Sequence, residues 1–148
     1  MSENFSVEEY LRRDGIYVGL TRGVSMRPML RAGKDTILIS PLSEPLKKYD
    51  VPLYRKGEAY VLHRIVAVRE KGYVICGDNC TEKEYDVTDD DIVGVLSGFR
   101  RGKRYVAIES RWYLLYARVW VACYPLRVAF VRVRHAVGKL LRKIFCKK

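Results

Sequence analysis

Apolar and polar residues alternate in short runs over roughly the first two thirds of the chain, and then switch to helical spacing. Residues 1–13, MSENFSVEEYLRR, read as a short amphipathic helix with Phe5, Tyr10 and Leu11 on its apolar side, ended by Asp14-Gly15. Short runs dominated by β-branched and aromatic residues predict strands at 16–20, 36–40, 58–70, 72–78, 92–101 and 104–110. Lys71-Gly72 and Arg101-Gly102-Lys103 are hairpin turns, so 58–70 pairs with 72–78 and 92–101 with 104–110. Residues 79–91 are acidic and polar and read as a loop. From 111 to 145, Leu114, Leu115, Val119, Val121 and Ala122 recur at helical spacing, which predicts two helical pieces kinked near Pro125. The pattern contains no internal repeat.

Charge divides the chain at the same place. The formal net charge is +11, yet residues 111–148 hold ten of the 28 Lys and Arg and none of the 17 Asp and Glu. A nearly neutral body of residues 1–110 is therefore joined to a polycationic segment, 111–148. Such a segment calls for an anionic partner. Trp112, Tyr113, Tyr116, Trp120, Tyr124 and Phe130 are interleaved with Arg118, Arg127, Arg132 and Arg134, and Lys139, Arg142, Lys143, Lys147 and Lys148 follow. This composition suits a helix lying in the plane of an anionic membrane surface. The other reading packs the helix on the body with a solvated basic face that includes His135; Trp112, Leu115, Val119 and Ala122 then cover the sheet. Nucleic acid is the weaker candidate, since no binding motif accompanies the charge. If the segment is only an anchor, its removal leaves the chemistry of the body intact.

With 148 residues, 49% of them hydrophobic, one packed domain is expected. Cys76, Cys80, Cys123 and Cys146 fit no common zinc spacing, and neither a metal nor an organic cofactor is implied. No leader pattern opens the sequence and no apolar run of membrane-spanning length occurs, so the expectation is a cytoplasmic protein with reduced thiols, peripheral at the membrane through its tail.

Three places carry candidate chemistry. Ser25 stands in GVSMRPML just before the strand TILIS, where a following strand can hold a small hydroxyl rigid. His63, in AYVLHRIVAV, shares a face with Val61, Ile65 and Ala67 by the period-two rule. It is either a core histidine bonded to a carbonyl or an imidazole kept neutral by burial, as a general base must be. Cys76-Gly77-Asp78-Asn79 ends the partner strand, and Asp78, Glu82, Glu84 or Asp86 places a carboxylate near His63 to orient it. Serine, histidine and acid in that order make a serine hydrolase hypothesis.

These boxes, GVSMRPML with TILIS, YVLHRIVAV, GDN and DIVGVLSGF, together resemble the signal peptidase I and SOS-repressor protease superfamily over roughly residues 15–100. The resemblance implies a mainly β, partly open barrel-like fold with Ser25 as nucleophile and His63 as base, the histidine marking the archaeal and endoplasmic-reticulum type. It implies an acid at Asp78, or six residues on at Glu84, and a groove shaped by Met26 and Pro28. The implied reaction is cleavage of a precursor, signal or leader peptide through an acyl-enzyme, with small side chains just before the cut. The chain departs from the pattern at Gly23, where many signal peptidases carry a serine that helps bind the oxyanion. The Ser25 backbone N–H is then the main donor, and a missing donor is worth about 2.7–4 kcal/mol. It departs also at Gly33-Lys34-Asp35, where a lysine interrupts a Gly-Asp pair, and in showing neither a spanning anchor nor a helix-turn-helix domain. The competing reading is a catalytically quiet domain that binds a peptide or partner at a membrane surface.

Overall fold

The computed structural model describes residues 5–145, with the side chains of His135, Gly138 and 140–145 outside the described set. The polar-face reading of His135, the polybasic end at Arg142, Lys143, Lys147 and Lys148, Cys146, and the first four residues of the expected N-terminal helix lie outside the described residues.

Helix α1 (Val7–Asp14) begins at a capping box: the Ser6 hydroxyl accepts the Glu9 N–H and the Glu9 carboxylate accepts that of Ser6. Gly15, at φ 69°, closes it. Nine strands follow: β1 (Tyr17–Leu20), β2 (Asp35–Ser40), β3 (Pro52–Lys56), β4 (Ala59–Leu62), β5 (Arg64–Arg69), β6 (Gly72–Cys76), β7 (Glu84–Val87), β8 (Ile92–Arg101) and β9 (Arg104–Ala107). The chain ends in α2 (Arg111–Ala122) and α3 (Tyr124–Phe145). The protein is mainly β, with a curled, open half-barrel sheet and a helical C-terminal segment.

The larger sheet runs β1-β2-β8-β3-β4, all antiparallel, with β9 also paired to β8. The long strand β8 holds it together, pairing Val95–Arg101 with β2 and Ile92–Val95 with β3. The second sheet is β5-β6-β7. Two buried clusters result. One joins Leu11, Met26, Ile37, Ile39, Leu53, Leu96 and Phe99 under the larger sheet; the other joins Tyr54, Ile65, Tyr73, Ile75 and Val87 between the sheets.

Three features differ from the sequence reading. The run 58–70 is two strands, not one: Leu62 pairs with Leu53 in the larger sheet, Arg64 pairs with Cys76 in the smaller, and His63 is the crossing residue. Strand β3 lies where no strand was expected, led by Pro52, whose missing N–H is tolerated at a strand's first position. Strand β7 lies inside the acidic stretch read as a loop, held by Ile75 opposite Glu84.

The tail is also not separable from the body. Tyr113 and Ala117 belong to the main buried cluster, with Tyr116 packed against it. Trp112, Leu115 and Val119, the face expected to cover the sheet, point outward instead. A chain cut after Ser110 would uncover that cluster and take away two hydroxyls that bond the buried ion pair described below. We therefore expect it to lose its cooperative thermal transition. Circular dichroism melts of the two lengths make the check, and a truncated chain melting within a few degrees of the full one would refute it.

Candidate active site

Ser25 sits in the connection between β1 and β2, a loop tied shut at its base. Thr21 N–H donates to Asp35 O at 3.0 Å, Gly33 N–H to Thr21 O at 2.8 Å, and the Thr21 hydroxyl to Arg31 O at 2.8 Å. Asp35, fully buried, accepts from the Arg31 backbone and guanidinium at 2.9 and 2.7 Å. Burial alone would raise its carboxyl pKa; the Arg31 bonds outweigh that and hold it below the ordinary value. The inserted lysine of Gly33-Lys34-Asp35 leaves this clasp intact. Within the loop, residues 24–30 form tight turns, with Arg27 N–H bonding Val24 O and Leu30 N–H bonding Met26 O. Ser25 is half-buried at their start.

Gly77 brings the three boxes into one place. A Cβ there would meet Ser25 O at 2.8 Å, His63 Cδ2 at 3.0 Å and Cys80 Sγ at 2.7 Å, so only glycine permits this approach. Asn79 N–H then donates to Ser25 O at 2.7 Å, pinning the loop after β6 to the serine turn. His63 is buried, and both of its hydrogen bonds are at Nδ1: Tyr54 Oη at 3.1 Å and Glu84 Oε1 at 3.1 Å. A carboxylate can only accept, so it selects the Nδ1–H tautomer and leaves Nε2 with a free lone pair. Among the described residues the Ser25 hydroxyl makes no hydrogen bond to His63, and the Ser25 N–H donates to no group of the chain.

Glu84 is itself held in place. Tyr54 donates to Oε1 at 3.0 Å and Lys56 Nζ to Oε2 at 2.6 Å. Burial would raise its pKa, but Lys56 and Tyr54 outweigh that and keep it below the ordinary range. Burial lowers the pKa of His63, with Glu84 opposing it only in part, so the imidazole is neutral at pH 7. Of the acids open from the sequence, Glu84 meets the histidine. Asp78 turns instead to Arg64, whose Nε and Nη2 donate to its two oxygens at 2.8 Å each. Both partners are buried, and Tyr116 donates to the same carboxylate at 3.0 Å while Arg64 Nη1 donates to Tyr113 Oη at 3.0 Å. This pair braces the loop from beneath rather than orienting the base.

A groove of about 610 Å³ opens at Ser25, lined by Leu20 of β1, Met26 and Ala59–Leu62 of β4, among others. Strands β1 and β4 are the two ends of the path β1-β2-β8-β3-β4 and each pairs with one neighbour, so both offer unpaired backbone groups. Met26 serves the groove and the core together. Pro28, expected to help shape the groove, is exposed and does not line it, because it sits on the outer side of the turn. Tyr54 and Lys56 were missed from sequence because β3 was missed; they share one face of that strand, and Val61 lies opposite Tyr54, two residues before His63.

Cys76, Cys80 and Cys123 are free thiols, and burial pushes the Cys76 thiol up to about 11. No group of three or more His, Cys, Asp or Glu among the described residues is arranged to hold a metal ion. In comparisons with known proteins, no family model and no curated protein matches the chain.

Proposed function

We propose that this protein is a serine endopeptidase of the signal peptidase and SOS-repressor kind, in which Ser25 is the nucleophile, His63 the general base and Glu84 the orienting acid. The observation that carries the reading is the chain of contacts Lys56–Glu84–His63. It fixes the imidazole tautomer and leaves Nε2 uncommitted on the side of Gly77 and the Ser25 turn. Ser25 Oγ attacks the scissile carbonyl and His63 Nε2 takes its proton. Glu84 stabilises the imidazolium, and the Ser25 N–H meets the developing oxyanion. Nε2 then protonates the leaving amine. Water, activated by the same nitrogen, breaks the acyl ester and restores Ser25. An extended peptide lying in the groove can add as a strand to the edges of β1 and β4, with alternate side chains turned toward the floor. Digestion of a soluble peptide library, read by mass spectrometry, tests this. Cleavage clustered after small side chains is expected. A protein that cleaves nothing in the library and takes no serine-directed covalent probe would be the quiet peptide-binding domain instead.

The pH dependence follows from His63. Its pKa in the folded chain lies below the unperturbed ~6.5, so kcat/KM should be level at neutral pH and fall only on acidification below about 6.5. Glu84→Gln removes a group that raises the His63 pKa. It should lower kcat by ~10²–10⁴-fold and move the acid limb to still lower pH. An unchanged profile in the glutamine variant would reassign the orienting acid. The same burial couples stability to pH. The unfolded chain takes up the histidine proton more readily than the folded one, so this contribution is complete above about 6.5 and is lost as pH falls through the folded pKa.

A further inference from the structure

The bent helix pair carries an apolar stripe on its outer side. Tyr113, Tyr116, Ala117 and Trp120 of α2 face the body, while Trp112, Leu115 and Val119 are exposed, Trp112 by 79%. The same stripe runs on through α3 at Leu126 (71% exposed), Phe130 (69%), Val133 and Val137. The steps of three, four and seven residues keep these positions on one side of each helix. Seven large apolar side chains, six of them more than half exposed, exceed what a soluble surface ordinarily carries in one patch. Exposed Arg118 and Arg134 lie beside the stripe by helical spacing, Arg132 and Lys139 lie on the side of α3 away from it, and no acidic residue occurs anywhere in 111–148.

The stripe is rigidly tied to the site. Trp120 Nε1 donates to Asp78 O at 2.9 Å, Arg127 donates to the same oxygen and lies 4.5 Å over the Trp120 ring, and Tyr124 donates to Thr81 O at 2.6 Å. Among the described residues, no single helix is long and apolar enough to cross a membrane. Residues Arg111–Ala122 and Tyr124–Arg134 meet the length and composition together, but they are bent by 55°. The inner face of α2 is committed to the protein core, which rules out immersing it in lipid. What remains is a face that wets apolar on one side and meets cations at its rims.

We propose that the outer stripe of α2 and α3 docks the protein in the plane of an anionic lipid bilayer. Trp112, Leu115, Val119, Leu126, Phe130 and Val133 enter the headgroup boundary, and Arg118 and Arg134 at its margins lie against lipid phosphates. Lipid is favoured over a protein partner because residues 111–148 carry ten Lys and Arg and no acid, a charge that a uniformly anionic sheet matches along its length. The docking sets the Ser25 groove beside the membrane, since Trp120, Tyr124 and Arg127 hydrogen-bond the loop of residues 78–81 that holds the Ser25 turn. The inference does not depend on the peptidase reading, because vesicle binding and peptide cleavage are read separately.

The test is co-sedimentation of the full chain with phosphatidylcholine vesicles and with vesicles containing phosphatidylglycerol, at low and high salt, with light scattering of the free protein. Binding to the anionic vesicles is expected, weaker in high salt and on the neutral lipid. Leu126→Glu with Phe130→Glu should abolish it without changing the melting temperature. Replacing Arg118 and Arg134 by glutamine should weaken it by about fivefold per residue. A full chain that ignores anionic vesicles at low salt overturns the proposal. So does a dimer that the double glutamate variant dissociates, since the stripe would then cover a second copy of this chain.

Discussion

Ser25→Ala should abolish peptide hydrolysis and labelling by a serine-directed covalent probe while leaving the protein folded. The loss expected is about 10⁶-fold in kcat, the scale reached when a serine protease loses its nucleophile. The structural cost is small for identifiable reasons. Ser25 contributes its backbone carbonyl, not its hydroxyl, to the bond with Asn79 N–H, and its hydroxyl makes no bond to His63 that alanine would orphan. Alanine also preserves the close approach at Gly77, which involves Ser25 O alone. A stability change within about 0.5 kcal/mol is therefore expected. His63→Ala should match it in activity, since neither residue catalyses without the other. A Ser25→Ala protein that cleaves at the wild-type rate would remove the nucleophile assignment. One that still takes the covalent probe would place the reactive serine elsewhere.

How much of this was legible beforehand depends on the kind of signal. Runs of β-branched and apolar residues bounded by turn residues, as in β1, β2 and β8, announced themselves as strands, and in β2 alternate residues are buried. The break at His63 did not. Alternation puts Leu62 and Arg64 on the face opposite His63, yet His63, Arg64 and Ile65 are buried one after another. A chain passing from one sheet to another between two cores buries consecutive residues, and period two cannot express that. Strand β3 was hidden by its leading proline and the lysines before it. With β3 went Tyr54 and Lys56, two of the three side chains that hydrogen-bond Glu84. The choice between Asp78 and Glu84 depended on the buried arginine next to the histidine. Arg64 captures the nearer acid, so the farther one, carried on β7, reaches His63. The tail's composition suggested a basic face on one side of a helix. The structure puts Trp112, Leu115, Val119, Leu126, Phe130 and Val133 on that outer face, a distinction that a charge count does not contain.

Arg64→Met should be the most destabilising single substitution near the site, at about 3–5 kcal/mol, the range for breaking a buried ion pair by removing one partner. Burial alone would depress the guanidinium's pKa, but the Asp78 hydrogen bonds and Tyr113 outweigh it and raise it, so the group stays charged at any working pH. Arg64 is fully buried and spends its donors on Asp78, on Tyr113 Oη and on Tyr49 O at 3.1 Å. Methionine fills part of the volume but leaves the Asp78 carboxylate with Tyr116 as its one remaining side-chain donor, 2% exposed and uncompensated. The Asp78 loop also holds Ser25 through Asn79 N–H, so activity should fall further than the unfolded fraction explains. A second substitution separates charge from packing. Asp78→Asn in the Arg64→Met background removes the stranded charge, keeps an acceptor for Tyr116, and should recover 1 kcal/mol or more by the usual cost of a buried unpaired group. Urea unfolding of the two single variants and the double variant measures both quantities. A double variant no more stable than Arg64→Met would mean that the arginine contributes by filling space beneath Tyr113 and Met29 rather than by neutralising Asp78.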